Sequence, residues 1–399
     1  MAKAPLSFCA RPKGRAQEPP LIVLLVIVTF GLSVGLTNHP PGETGLDWQN
    51  GSKLVIWSAL LAWGIARWRL ILPFVFNPAG ALLAFLCALA GLSAFWSPVP
   101  MYTVACAVGF MAYFIFGAFL ARYLPVDTVL RTLLWSLSVF TVLGLIAGLV
   151  SSDTAWLPPS VEENVYRLQG LALSPNSFGQ LAALYGVIAM ACLSRHIMSV
   201  KLFMAHIILG LTALALTGDR TVLIALIATT LLTGARHFNW VRYGLFGLLA
   251  LFAAGLFLTA MGSAPSLHET MQMFSRTGSV DEILTLTGRT EIWSAALDHV
   301  WERPLFGWGF NGTEALMTAS MPRNFSGTAV NAHNMYLQLA LTLGLVGLLP
   351  GLALIAMTVH AYFVRPLPFR DLIVGLIVFN GLAEADIFAT PILTGLLFF

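Results

Sequence analysis

The stretch GRTEIWSAALDHVWERP, residues 288–304, decides how the chain is read. Ile292, Trp293, Ala296, Leu297, Val300 and Trp301 recur at helical spacing, so they predict an amphipathic helix with one apolar face. Arg303-Pro304 ends it, because the residue before a proline is pushed out of the helical region. Around it, residues 262–345 form a polar interruption that carries Arg289, Asp298, Arg303, Asn331, His333 and Asn334. Almost everything before and after reads as membrane helix. A polar loop of roughly seventy residues between apolar spans is a working surface rather than a connector.

Composition points the same way. The chain is 58% hydrophobic and only 10% charged, with a mean hydropathy of +0.82, whereas about a quarter of residues are charged in soluble domains. The predicted class is therefore all-α and polytopic, a bundle crossing a lipid bilayer. The net charge of +3 comes from scattered basic residues with no stripe or cluster, which argues against a nucleic-acid partner. Cys9, Cys87, Cys106 and Cys192 match neither a metal-binding spacing nor a disulfide framework. Nucleotide-binding glycine loops, His-Glu-x-x-His, Asp-x-Asp and Gly-x-Ser-x-Gly patterns do not occur, so neither a metal nor a cytosolic nucleotide is expected.

Apolar runs predict helices near 21–37, 53–72, 78–95, 102–121, 129–150, 178–194, 202–217, 221–235 and 243–261, then 345–364 and 371–389, with a short tail at 391–399. That makes about 11–12 spans. The organisation follows: a cytoplasmic tail at 1–20, helices one to nine over 21–261 with an outer loop at 151–178, a large outer loop with the amphipathic helix at 262–344, and C-terminal helices at 345–399. Arg11, Lys13 and Arg15 precede a first segment without a cleavage motif, read as a retained helix. With the N-terminus inside, most Lys and Arg residues, from Lys3 and Arg11 to Arg365 and Arg370, fall inside, as the positive-inside bias requires. Left outside are Lys53, Arg167, Arg220, Arg276, Arg289, Arg303 and Arg323. Residues 333–364 read either as one bent helix or as an interfacial helix followed by a span, with Gly344, Gly347 or Pro350-Gly351 as the break; the basic residues favour the second.

Arginines on the outer face ask for an anion, either a local carboxylate or a phosphorylated ligand that matches the guanidinium fork. Arg220 stands between two apolar runs, where a cation is costly and points to function, or else pairs with Asp219. Arg289 occupies a helix first turn, an end that disfavours cations unless an anion is held there; Glu291, Asp281 and Glu282 are the local alternatives. His333 begins an apolar helix with Asn331 and Asn334 beside it as orienting partners, while His39, His206, His268 and His299 have no clear partner set. Arg167 is a further ligand contact from the other outer loop, and Asn176 and Ser177 read as helix caps after a proline turn. Glu384 and Asp386 lie in an apolar stretch and need a partner such as an arginine.

The ordered segments Thr217-Gly218-Asp219-Arg220-Thr221, Gly288-Arg289-Thr290-Glu291-Ile292-Trp293, Pro304-Leu305-Phe306-Gly307-Trp308-Gly309 and Ala332-His333-Asn334-Met335-Tyr336-Leu337 together resemble the O-antigen ligase and polymerase superfamily. The resemblance covers roughly residues 160–390. It implies a GT-C-type fold with a periplasmic helical region in the bacterial inner membrane. The donor would be a glycan on undecaprenyl diphosphate, and the acceptor either lipid A core or another lipid-linked glycan. It further implies no cofactor, no metal and no ATP. Arg220 and Arg289 would bind the diphosphate, His333 would be catalytic, and Arg167, Asn331 and Asn334 are candidate substrate contacts. Other polysaccharide assembly proteins are expected partners. Ligase and polymerase remain open on these residues, and the rival class is a non-enzymatic flippase or transporter of lipid-linked oligosaccharide.

Overall fold

A computed structural model describes residues 18–35, 48–159, 165–172, 174–237, 243–244, 289–320, 331–389 and 392–398. The described chain is helical, with one two-residue antiparallel strand pair. In order, α1 is Glu18–Ser33, α2 Trp48–Ile65, α3 Trp68–Val75, α4 Pro78–Leu92, α5 Pro100–Tyr123, α6 Val126–Val150 and α7 Ser152–Ala155. Strands β1 (Trp156–Leu157) and β2 (Arg167–Leu168) follow. Then come α8 (Pro175–Ser194), α9 (Val200–Thr217), α10 (Arg220–His237), α11 (Arg289–Glu302), α12 (Glu314–Ser320), α13 (Met335–Val364), α14 (Pro368–Asn380) and α15 (Leu393–Phe398).

Six of these helices are long and apolar enough to cross a membrane, or seven if the bent pair α2–α3 is one span. The protein is an all-α polytopic membrane protein. Large apolar side chains such as Phe95, Leu149 and Val150 are more than 80% exposed, as expected of helices whose outer faces meet lipid rather than water. Helices α5 and α8 lie deepest, with 72% and 67% of their spans buried; α8 packs against α6, α9, α10 and α14, and α5 against α2 and α4.

The expected span at 53–72 is instead two helices meeting at 87°. Pro73 sits inside the short second piece and Arg67 caps it without a side-chain hydrogen bond, so the chain turns where two exposed arginines leave the apolar run. The expected span at 371–389 stops at Asn380, where a turn and a 3-10 helix at Asp386–Phe388 replace it. The span placed at 243–261 lies outside the described residues, apart from Tyr243 and Gly244. The amphipathic helix is present as α11, but its buried face is narrower than the spacing suggests. Ile292 and Ala296 are buried, whereas Leu297 is 47% and Trp301 76% exposed.

Within residues 333–364, α13 consists of two helical pieces that meet at Gly344, whose backbone (φ 62°, ψ −162°) is not helical. A break at this depth frees backbone groups that need partners, and residues 304–309 supply them. Trp308 and Gly309 N–H donate to the Leu341 and Thr342 carbonyls at 3.0 and 2.9 Å. Leu345 and Val346 N–H donate to Pro304 and Leu305 carbonyls at 2.8 and 3.1 Å. The two backbones approach so closely that a Cβ on Gly344 would lie 2.3 Å from Leu305 C, and one on Gly307 2.5 Å from Thr342 C.

Candidate functional site

Five chain segments converge at one end of the bundle, and Glu384 lies at their centre. Its carboxylate Oε1 accepts from Arg289 Nη2 at 2.6 Å and from Asn176 Nδ2 at 3.2 Å. Oε2 lies 3.2 Å from His333 Nδ1. Arg289 also donates from Nη1 to Thr221 Oγ1 at 2.8 Å, which ties the first turn of α11 to the first turn of α10. Arg289 and Glu384 are 12% and 8% exposed, so this is a largely buried pair, the sort whose disruption leaves an uncompensated charge.

Each group is held by local backbone chemistry. Asn334 caps α13, its Oδ1 accepting from Tyr336 and Leu337 N–H at 3.0 Å each. Its Nδ2 donates to Leu382 O at 2.9 Å, and Met335 N–H donates to Gly381 O at 2.7 Å. The His333 and Glu384 turns are therefore stitched to each other. His333 itself has φ 42°, a left-handed conformation unusual outside glycine. Asn331 Oδ1 holds it there by accepting the His333 N–H at 2.8 Å. Asn331 thus holds the histidine's backbone, while Asn334 caps the helix that follows and ties the turn to Leu382.

On the other side, Arg167 is buried at 8% exposure. It donates from Nε to Thr217 O at 2.8 Å and from Nη2 to Asn176 Oδ1 at 2.6 Å. The structure joins Arg167 to Glu384 through Asn176, so this arginine braces the site from within. Ser174, not Asn176 or Ser177, caps α8, accepting from Ser177 N–H at 3.1 Å. Asn176 is left to bridge. Gly179 lets α8 come up against the α9–α10 turn, where its Cβ would lie 2.9 Å from Asp219 Cβ.

Arg220 is the first residue of α10, half-buried, between Asp219 and the Thr221 that receives Arg289. Asp219 is buried at 4% exposure; Oδ1 accepts from Val222 N–H at 3.2 Å, and Oδ2 has no hydrogen-bond partner among the described residues. Burial, and then the Glu384 charge, push the Asp219 carboxyl up to about 6 against the opposing pull of Val222 N–H, Arg167 and Arg289. Burial would also raise the Glu384 carboxyl. There the His333 and Arg289 charges and the hydrogen bonds outweigh it and hold the group below its ordinary value. One carboxylate of this neighbouring pair is thereby kept charged while the other is drawn toward neutrality.

Sequence reasoning singled out Arg220, Arg289 and His333, and the structure brings Arg289 and His333 onto one carboxylate. Glu384 was legible only as an acid needing an arginine, and that arginine is Arg289. The bridging role of Asn176 had no signal beyond its place in a proline turn. Histidines read as partnerless have partners: His206 pairs with Tyr185, and His299 contacts Ser320 at 2.6 Å and Glu302 at 3.1 Å. The Asp386 side chain and the acids Asp281 and Glu282 lie outside the described residues. No group of metal-binding residues occurs among the described residues.

The architecture is that of a polytopic membrane protein with a buried, charged site where several helix ends meet. Residues 205–350, somewhat over a third of the chain, match the family model described as O-antigen ligase. That span holds Arg220, Arg289 and His333 but neither Asn176 nor Glu384. No curated protein matches the chain significantly. Over that span the chain is similar to O-antigen ligases.

Proposed function

We propose that the protein transfers a glycan from undecaprenyl diphosphate to an acceptor at the periplasmic face of the bacterial inner membrane. The observation that carries this reading is the single carboxylate shared by Arg289 and His333 inside a chain that matches the O-antigen ligase model. Arg289 has five N–H donors, of which the contacts to Thr221 and Glu384 engage two nitrogens. Donors remain for a diphosphate, and Arg220 on the adjoining helix start adds a second cation. Charge neutralisation there stabilises the diphosphate as a leaving group while the anomeric C–O bond breaks. In its neutral form His333 keeps its proton on Nδ1, facing the carboxylate, and Nε2 is the nitrogen that takes the proton of an acceptor hydroxyl, which leaves the imidazolium paired with Glu384. A single displacement of this kind inverts the anomeric centre and needs neither metal nor ATP.

The test is a reconstituted reaction with a defined undecaprenyl-diphosphate glycan and two acceptors, lipid A core and a second lipid-linked glycan, without metal or nucleotide. Wild type yields product, and His333→Ala lowers the rate by roughly 10²–10⁴-fold. Arg220→Ala and Arg289→Ala lose donor binding. The acceptor consumed separates ligase from polymerase. Product with retained anomeric configuration, or full activity in His333→Ala, would falsify the mechanism.

A further inference from the structure

The end of the bundle opposite the site carries a second feature, independent of glycan transfer. Trp96 Nε1 donates to Phe306 O at 3.2 Å, which places the C-terminal end of α4 on the site end. The start of α4, the bend between α2 and α3 and the C-terminal end of α5 therefore lie at the far end. There an open groove of about 260 Å³ lies in the angle of the bent pair, lined by Ile65, Trp68, Ile71, Ala84, Cys87 and Met111 among other apolar residues. Its lining is almost wholly apolar and gives a water molecule few partners, so an apolar occupant is favoured over water.

The rim is cationic. Arg67 lies between Ile65 and Trp68, two lining residues, and Arg69 follows Trp68; both arginines are exposed. Each guanidinium sits by an indole, Arg67 at 5.0 Å from the Trp63 ring and Arg69 at 5.8 Å from Trp68. Tryptophan and arginine together mark the level where lipid headgroups meet hydrocarbon. The sequence from 48 to 126 contains no Asp or Glu at all, while Arg122 adds a further cation at the end of α5. Asp127, the next acid in sequence, pairs with Arg195, so an apolar groove beneath this basic rim matches an amphiphile with a negative head.

We infer that the angle between α2 and α3 is a binding site for an anionic glycerophospholipid, with one acyl chain in the groove and its phosphate against Arg67 and Arg69. A bilayer supplies such molecules, and the groove's shape selects a chain while the rim selects the charge.

The full chain, purified in detergent and delipidated, is titrated with phosphatidylglycerol or phosphatidylethanolamine of identical chains and the bound lipid is counted by native mass spectrometry. Wild type retains one phosphatidylglycerol in preference to phosphatidylethanolamine. The Arg67→Ala/Arg69→Ala variant, altered only at exposed positions, binds it roughly thirtyfold more weakly, and Ala84→Phe, which fills the groove, loses it as well. Equal retention of the two lipids by wild type, unchanged binding in the double variant, or preference for a polyprenyl phosphate over phosphatidylglycerol would each overturn the assignment.

Discussion

Glu384 contacts an arginine with one oxygen and a histidine with the other, so its charge and its shape both matter. Replacing it by glutamine keeps the shape and removes the charge. Glu384→Gln is expected to lower turnover in the reconstituted reaction by roughly 10²-fold, and a rate within about twofold of wild type would show that neither partner depends on the carboxylate. Asp219 predicts a pH effect on stability. Its folded carboxyl titrates at about 6 against an ordinary value of 3.8, so its contribution to stability is present at low pH and is lost as pH rises through about 6. Between pH 7.5 and 5 the protein gains on the order of 1 kcal/mol from this group. Glu384 acts the other way: held below its ordinary value, it contributes above that value and loses the contribution as acid protonates it. Thermal denaturation in detergent should therefore show a higher Tm at pH 5 than at pH 7.5, and Asp219→Asn should flatten that rise.

Among the elements, the broken helix α13 positions the site most directly, because its N-terminal half carries the His333 turn and its break docks on residues 304–309. Gly344 occupies a conformation essentially closed to other residues. A methyl group there would also meet the Leu305 backbone. Gly344→Ala is expected to cost at least about 1–3 kcal/mol, read as a lower Tm, and to reduce activity by displacing His333. An unchanged Tm would mean that α13 can straighten without loss. The Gly344 break was readable from composition as one of three candidate positions. Which glycine broke, and which loop satisfied the freed groups, depended on contacts about forty residues apart in sequence and had no local signal.

Across the molecule, the packing sorts the cations. Arg195 pairs with Asp127 at 2.5 Å, Arg236 donates to Phe363 O at 2.6 Å, and Arg370 donates to Arg365 O at 2.7 Å. These contacts gather the C-terminal ends of α8, α10 and α13 with the N-terminal ends of α6 and α14. Arg167, Arg220, Arg289 and Arg303 lie at the other end, Arg303 over the Trp308 ring at 3.9 Å. The proposed orientation puts the arginine-rich opposite end in the cytoplasm. A cysteine at Glu314 on a cysteine-free background should then react with a membrane-impermeant maleimide in spheroplasts, while one at Lys201 should react only after lysis. The reverse pattern would invert the topology.

Hydrophobic run length and the placement of basic residues determined the class of this protein from its sequence, because a bilayer demands long apolar helices and biases charge to one side. They also marked Arg289 and His333, since polar groups beside membrane spans are costly enough to be noticed singly. Only the tertiary structure decided that Glu384 joins them, that Arg167 reaches the same carboxylate through Asn176, and that the chain turns through 87° between α2 and α3. Those outcomes depend on which distant backbones meet at a helix end, and pairing across such distances leaves no periodicity in the chain to read.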